Sequence, residues 1–320
     1  MNIISIIIMS LFSSGITPHS DQPNNFDYNK AWEEVNRLVD QEGKVSTAAV
    51  KLEEIYKNAF NDKNVEEQYA AIQYKVNKLI KSNPETLDYL NKELDKSTGL
   101  LKSMLTALRG DFYAIQNNQR NYRGDTDLAN DESTDIESMS RNGLVKAMML
   151  NYSEALSNSE LHKIPFARFK RSIIDGDSLY FEVGATLYDV LALRFISHLD
   201  TDLGIDGIAD FNFTPTELLG KLPDFLKLSF IEDQNSYLHL AGSTFQNILK
   251  NLNNPMLRFV VDKRRLNYFG EKYGSEKYIA DIINALDFHI ENNSDKDLKV
   301  IATITQISYK IDKKENFAVL

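Results

Sequence analysis

Cysteine is absent from all 320 residues. That one absence removes disulfides, zinc held by thiolates, thiol catalysis and a lipidated N-terminal cysteine. Glycine and proline are sparse, at 14 and 7, and the composition leans helical. Positive charge is in deficit, with 36 Lys and Arg against 46 Asp and Glu, a formal net charge of -10 and a pI near 5.1. Nucleic acid is excluded as a ligand class on that ground, because phosphate binding needs a basic surface that releases counterions. No Gly-rich phosphate loop, His-Glu-x-x-His pair or Gly-x-Ser-x-Gly elbow occurs.

What is there suffices for a large core: 42% of residues are hydrophobic and 26% charged. A chain of this size needs no disulfide, metal or cofactor to be stable. Its start, Ile3-Ile4-Ser5-Ile6-Ile7-Ile8-Met9-Ser10-Leu11-Phe12 followed by Ser13-Ser14-Gly15, has the length and small-residue boundary of an export signal, without Lys or Arg after Met1. It is too short to span a bilayer. Ile16 to Asp27, polar and carrying Pro18 and Pro23, reads as a flexible lead-in. Residues 1–27 thus predict export to the periplasm or cell envelope, with a cytoplasmic chain as the alternative.

From residue 28 the apolar residues recur at helical spacing. Ala31, Trp32, Val35, Leu38 and Val39 form one stripe, and Ala48, Leu52, Ile55, Tyr56 and Ala59 a second after a break at Gly43. Neither helix buries its stripe alone, so the two pair as a hairpin. A third helix follows Asn64 and stops before Asn83-Pro84. Leu87, Leu90, Leu94, Leu101, Leu105, Leu108, Phe112 and Ile115 then keep one rhythm for about eight turns. Residues 28–115 make a first helical block, 116–135 an exposed polar loop, and 136–320 a second helical block. In the second block, Thr186 to Ile196 is so apolar that it predicts the centre of the core. Leu298 to Ile311 is helical in spacing but β-branched enough to leave strand open. The fold class predicted is all-α: a degenerate, tetratricopeptide-like array of helical hairpins forming a right-handed superhelix, without a strict repeat. The end at Phe317-Ala318-Val319-Leu320 lacks a polar capping helix, which predicts continuation into a longer parent protein.

Candidate sites are few. Asp202, Asp206, Gly207 and Asp210 fall at calcium-loop positions 1, 5, 6 and 9, but Gly204 and Phe213 stand where two ligands belong, so a solvated turn is the preferred reading. Asp125, Asp127, Asp131 and Asp135 fit worse. His19, His162, His198, His239 and His289 are scattered and read as satisfied residues of core or surface. The pairs Glu33-Glu34, Glu53-Glu54 and Glu66-Glu67 read as solvated helix faces, and Lys170-Arg171 and Lys263-Arg264-Arg265 as partners for nearby carboxylates or as helix C-terminal charges. No catalytic residue, cofactor or metal is predicted.

Tyr28-x-x-x-Trp32, Leu52-Glu53-Glu54-Ile55-Tyr56, the Asn121-Tyr122-Arg123 loop with Asp125-x-Asp127, Thr186-Leu187-Tyr188-Asp189-Val190-Leu191-Ala192-Leu193-Arg194, and Asp262-x-x-Arg265-Leu266 come in an order that resembles the N-terminal helical region of large bacterial α2-macroglobulin family proteins. The resemblance covers most of residues 28 to 310 and implies an exported, non-catalytic module beside β-sandwich domains, in a family implicated in trapping proteases. The family's thioester needs a cysteine that this chain lacks. The expected function is a helical scaffold or protein-binding module, its partner a protein surface or neighbouring domains of the same parent chain. A glycan-binding outer-membrane protein of the SusD type and an enzyme with an unrecognised site in a helical barrel are the alternatives.

Overall fold

The computed structural model describes residues 26–80, 82–123, 133–172, 184–200, 212–230 and 236–318. Every regular element among them is helical, apart from one isolated bridge between Pro165 and Thr186. The longer helices are α1 (Tyr28–Asn36), α2 (Val45–Asn61), α3 (Val65–Tyr74), α4 (Asn83–Lys96), α5 (Gly99–Arg123), α6 (Arg141–Leu156), α7 (Leu187–Asp200), α8 (Tyr237–Asn251), α9 (Pro255–Tyr273), α10 (Ile279–Asn292) and α11 (Lys296–Ala318). Short 3-10 turns at Ser159–Lys163 and Phe166–Ser172, and single α-turns at Pro215–Leu218 and Leu222–Phe225, bridge them.

Local chemistry sets the starts. Asp27, Asn64, Ser82, Ser140, Ser236 and Asn254 each accept a hydrogen bond from a backbone N–H of the following first turn. Pro84 and Pro255 sit where a helix has no use for their missing donor. The long rhythm from Leu87 to Ile115 divides into α4 and α5 at Ser97-Thr98-Gly99. Gly99 takes φ +56, a left-handed conformation that side chains resist, and the chain reverses there. Gly274 ends α9 the same way at φ +82.

Two cores result. Trp32 and Val35 of α1, Leu38 of the π-helical turn Arg37–Gln41 that follows it, and Ala48, Leu52 and Ile55 of α2 pack on Ala70 and Ala71 of α3. The opposite side of α3, through Tyr69 and Ile72, belongs to the main core, which runs from α4 to Ala302 of α11. α3 is therefore buried on both sides, which explains why its Gln68 and Gln73 are buried as well. α5 and α6 form the most extensive helix pair, and α7 packs against α8, α6 and α5. Nine residues of α7 are buried, matching its expected central place.

Several expectations change. α5 runs on to Arg123, so residues 116 to 123 are helical where an exposed loop was expected, and residues 124–132 lie outside the described residues. Gln116 and Asn117 are buried there because Gln116 exchanges hydrogen bonds with Asn83 and Asn117 accepts one from Arg141, so polar side chains stand in for an apolar stripe. Ile115, read as inward, is exposed. The final segment is helix and not strand. No helix among the described residues is long and apolar enough to cross a membrane. The export-signal reading falls on residues outside the described set, as do Asp125, Asp127 and Asp131 and the calcium candidates Asp202, Asp206 and Asp210.

Candidate functional site

Two carboxylates organise the polar interior. Asp111 projects from α5 between α6 and α7. One of its oxygens accepts from His198 Nε2 at 2.8 Å and from the Tyr152 hydroxyl, and the other accepts from Arg194 Nη1 at 3.0 Å. Arg194 and His198 lie one turn apart on α7, so both reach the same carboxylate. Burial alone would raise the Asp111 carboxyl. The Arg194 charge, with the hydrogen bonds from His198 and Tyr152, outweighs it and holds the group below the usual carboxylate range. Burial and the neighbouring Asp111 charge push the Tyr152 hydroxyl well up, so Tyr152 stays protonated and donates.

Asp262 on α9 repeats the arrangement deeper in. Arg265 Nε donates to it at 2.7 Å and His289 Nε2 of α10 pairs with its other oxygen at 2.7 Å. Asp262 and Arg265 are fully buried. Arg265 also donates to the carbonyls of Leu218 and Gly220 and covers the Phe225 ring at 4.5 Å, so the single α-turns at 215–225 are fastened to α9. Here too burial raises the carboxyl, and Arg265 and His289 overcome it to leave it low. Lys263-Arg264-Arg265 thus conceals one buried structural arginine, while Arg264 reaches the Ser197 hydroxyl.

The histidines fall as dispersed as expected, but two of them close these networks. His162 stacks on Tyr188 at 3.8 Å, and burial lowers its pKa. His239 is buried against Phe213 and Phe230. His19 lies outside the described residues. Among the described residues no group of three His, Asp or Glu is placed to hold a metal ion.

The carboxylate pairs Glu33-Glu34 of α1 and Glu53-Glu54 of α2 are largely outward, but Glu66-Glu67 of α3 is not a solvated face. Glu67 accepts from Trp32 Nε1 at 2.6 Å and from Arg171 Nε at 3.0 Å, and Glu66 pairs with Arg168. This clasp joins the first hairpins to the 3-10 turn at 166–172, as the reading of Arg171 as a carboxylate partner anticipated. Beside it is a cup of about 290 Å³ lined by Trp32, Asn36, Asp40, Gln73, Tyr74 and Arg171, among others. Of these, Trp32 is only 3% exposed.

The remaining feature is on α11. Leu298, Ala302, Thr305 and Gln306 face inward, while Val300, Ile301, Ile304, Ile307 and Ile311 are 56, 41, 61, 47 and 50% exposed. Elsewhere among the described residues the large exposed apolar ones, Val50, Phe60, Ile115 and Leu150, are spread over three helices. Isolated ones are ordinary on a protein surface, whereas a continuous row is not. Periodicity flagged this segment; it could not say that the aliphatic row points outward, because α11 has a second, smaller inward stripe. No family model, curated protein or solved structure matches the chain.

Proposed function

We propose that this chain is a non-catalytic helical scaffold, its hairpins stacked in a tetratricopeptide-like array, that binds an amphipathic helix of a protein partner along the outer face of α11. The observation that carries the reading is the spacing of that face. Val300, Ile304, Ile307 and Ile311 follow steps of four, three and four, the a/d seam that a second helix packs against. A helix apolar on both sides belongs in a protein interior, and here one side faces outward.

The residue types that elsewhere perform acid–base chemistry support the same reading. Asp111, His198, Asp262 and His289 are spent on one another and on Arg194 and the buried Arg265, joining helices distant in sequence. The glycan-binding alternative would gain from a bare aromatic platform, whereas at the cup Trp32 is covered and Tyr74 is half-buried. An envelope setting beside macroglobulin domains rests on the motif order and the signal-like start, and is part of the proposal.

A photo-crosslinking residue at position 304, introduced into the full chain in its native extract, tests the reading. Adducts are expected on amphipathic helices of protein and should vanish with Ile307→Asp. Absence of protein adducts, or equal yield from the exposed Asp88 position on α4, overturns it.

A further inference from the structure

The cup beside the Glu67 clasp is lined by polar groups that the fold leaves unused. One wall carries Trp32, Asn36 and Asp40, each one turn after the last, on α1 and the π-helical turn that extends it. The other carries Tyr74 at the end of α3 and Lys78 on the π-helical turn Lys75–Leu79. Gln73 also lines the cup. It is only 7% exposed, and its amide makes no hydrogen bond among the described residues. A buried amide without a partner is rare, because the lost hydration is not repaid. Asn36 and Asp40 make no hydrogen bond or ion pair among the described residues either. In the same wall the Tyr74 hydroxyl is buried and unpaired, and burial, then the Asp40 charge, raises its pKa.

The usable charges lie at opposite ends. The Arg171 guanidinium is 5.6 Å from the centre of the Trp32 ring. It gives Nε to Glu67, which lies outside the cup lining, and Nη2 to Asn29, which leaves Nη1 for another acceptor. Asp40 is two turns beyond Trp32, on the order of 10 Å along the helix. Lys78 already has a partner of its own.

We propose that the cup binds a free short peptide of two or three residues, extended, with its carboxylate on Arg171, its ammonium on Asp40 and its peptide groups on the amides of Gln73 and Asn36. An amide donates and accepts, as a peptide group does. An extended chain gains about 3.3–3.6 Å per residue, so three residues bridge the two charges, one falls short and six overshoot. The volume of about 290 Å³ suits a ligand of that size. The site is separate from the outer face of α11 and does not depend on it.

Trp32 is the sole tryptophan of the chain, so its fluorescence reports on this cup. Titration of the full chain with trialanine should change the emission saturably, with a dissociation constant on the order of 0.3 mM. Alanine, hexa-alanine, N-acetyl-trialanine and trialanine amide should each bind about tenfold or more weakly, since each loses one charged contact. Asp40→Asn, at an exposed position, should reduce trialanine to the level of its N-acetyl form and leave the N-acetyl form unchanged. Gln73→Leu should keep the helical circular dichroism and weaken trialanine about tenfold. No saturable change up to about 10 mM trialanine, equal binding of the blocked or hexameric peptides, or an Asp40→Asn chain that still prefers the free ammonium, each overturns the proposal. So does a folded Gln73→Leu chain that binds like the wild type.

Discussion

Asp111 and His198, 87 positions apart in the chain, meet at 2.8 Å where α5 crosses α7. The contact joins the helices before and after the stretch 124–132, and with Arg194 and Tyr152 on the same carboxylate it unites three helices at one point. Asp111→Ala leaves Arg194 without its counter-charge and Tyr152 without its acceptor. The Arg194 and Asp111 side chains are 29 and 14% exposed, so the loss costs about 1–3 kcal/mol, less than for a fully buried pair. A thermal melt of Asp111→Ala should therefore fall by several degrees, and by more than that of His198→Ala, which leaves the Arg194 pair intact.

Asp262 and Arg265 are coupled, so their losses should not add. Arg265→Met alone strands a buried carboxylate and orphans the carbonyls of Leu218 and Gly220, for about 3–5 kcal/mol. Asp262→Asn with Arg265→Met removes the stranded charge and should cost at least about 1 kcal/mol less than the sum of the single changes. Urea unfolding of the four proteins in the cycle measures it.

The two carboxylates also set a pH dependence. Both are held below their ordinary values in the folded chain, since their arginine and histidine partners overcome the cost of burial. A carboxyl whose pKa is depressed on folding stabilises fully above its unfolded value of about 4 and loses that contribution as pH falls through the folded value. The part of the stability due to Asp111 and Asp262 should thus be undiminished from neutral pH to about 5 and decline below about 4. Asp111→Asn and Asp262→Asn should each flatten that acid slope in urea titrations.

How far the sequence disclosed these features depended on the kind of signal. Periodicity located the helices, since apolar stripes at Trp32–Leu38, Leu52–Ala59 and Leu187–Ile196 are a direct consequence of one-sided burial. The α4–α5 break was hidden because Leu94 and Leu101 are seven apart and keep phase across it. The extension of α5 past Ile115 was hidden because its buried positions, Gln116 and Asn117, are polar and find polar partners. Neither aspartate network could be read in advance, because each joins residues far apart in sequence. Asp262-x-x-Arg265 alone had a local spacing that a helix makes adjacent.

Packing beside the Asp111 network predicts an inversion of helix propensity. Gly110 lies mid-helix in α5, where alanine is ordinarily favoured by about 1 kcal/mol. A Cβ there would come within 2.8 Å of the Tyr152 ring, which the hydrogen bond to Asp111 and the stacking on Phe195 at 4.8 Å hold in place. Gly110→Ala should therefore destabilise by about 1–3 kcal/mol, and Gly110→Ala with Tyr152→Leu should recover part of that in the same melt.

The outer face of α11 is the working surface in this account, and a crosslinker scan along the helix measures that directly. Photo-reactive residues placed singly at 300, 304, 307 and 311 should give high yields of protein adduct in native extract. The same residue at Thr303, at Asp88 on α4 and at Lys57 on α2, all exposed, should give little. A yield that rises and falls with the four-three-four seam is the predicted result; equal yields at seam and control positions, or none at the seam, would contradict the account.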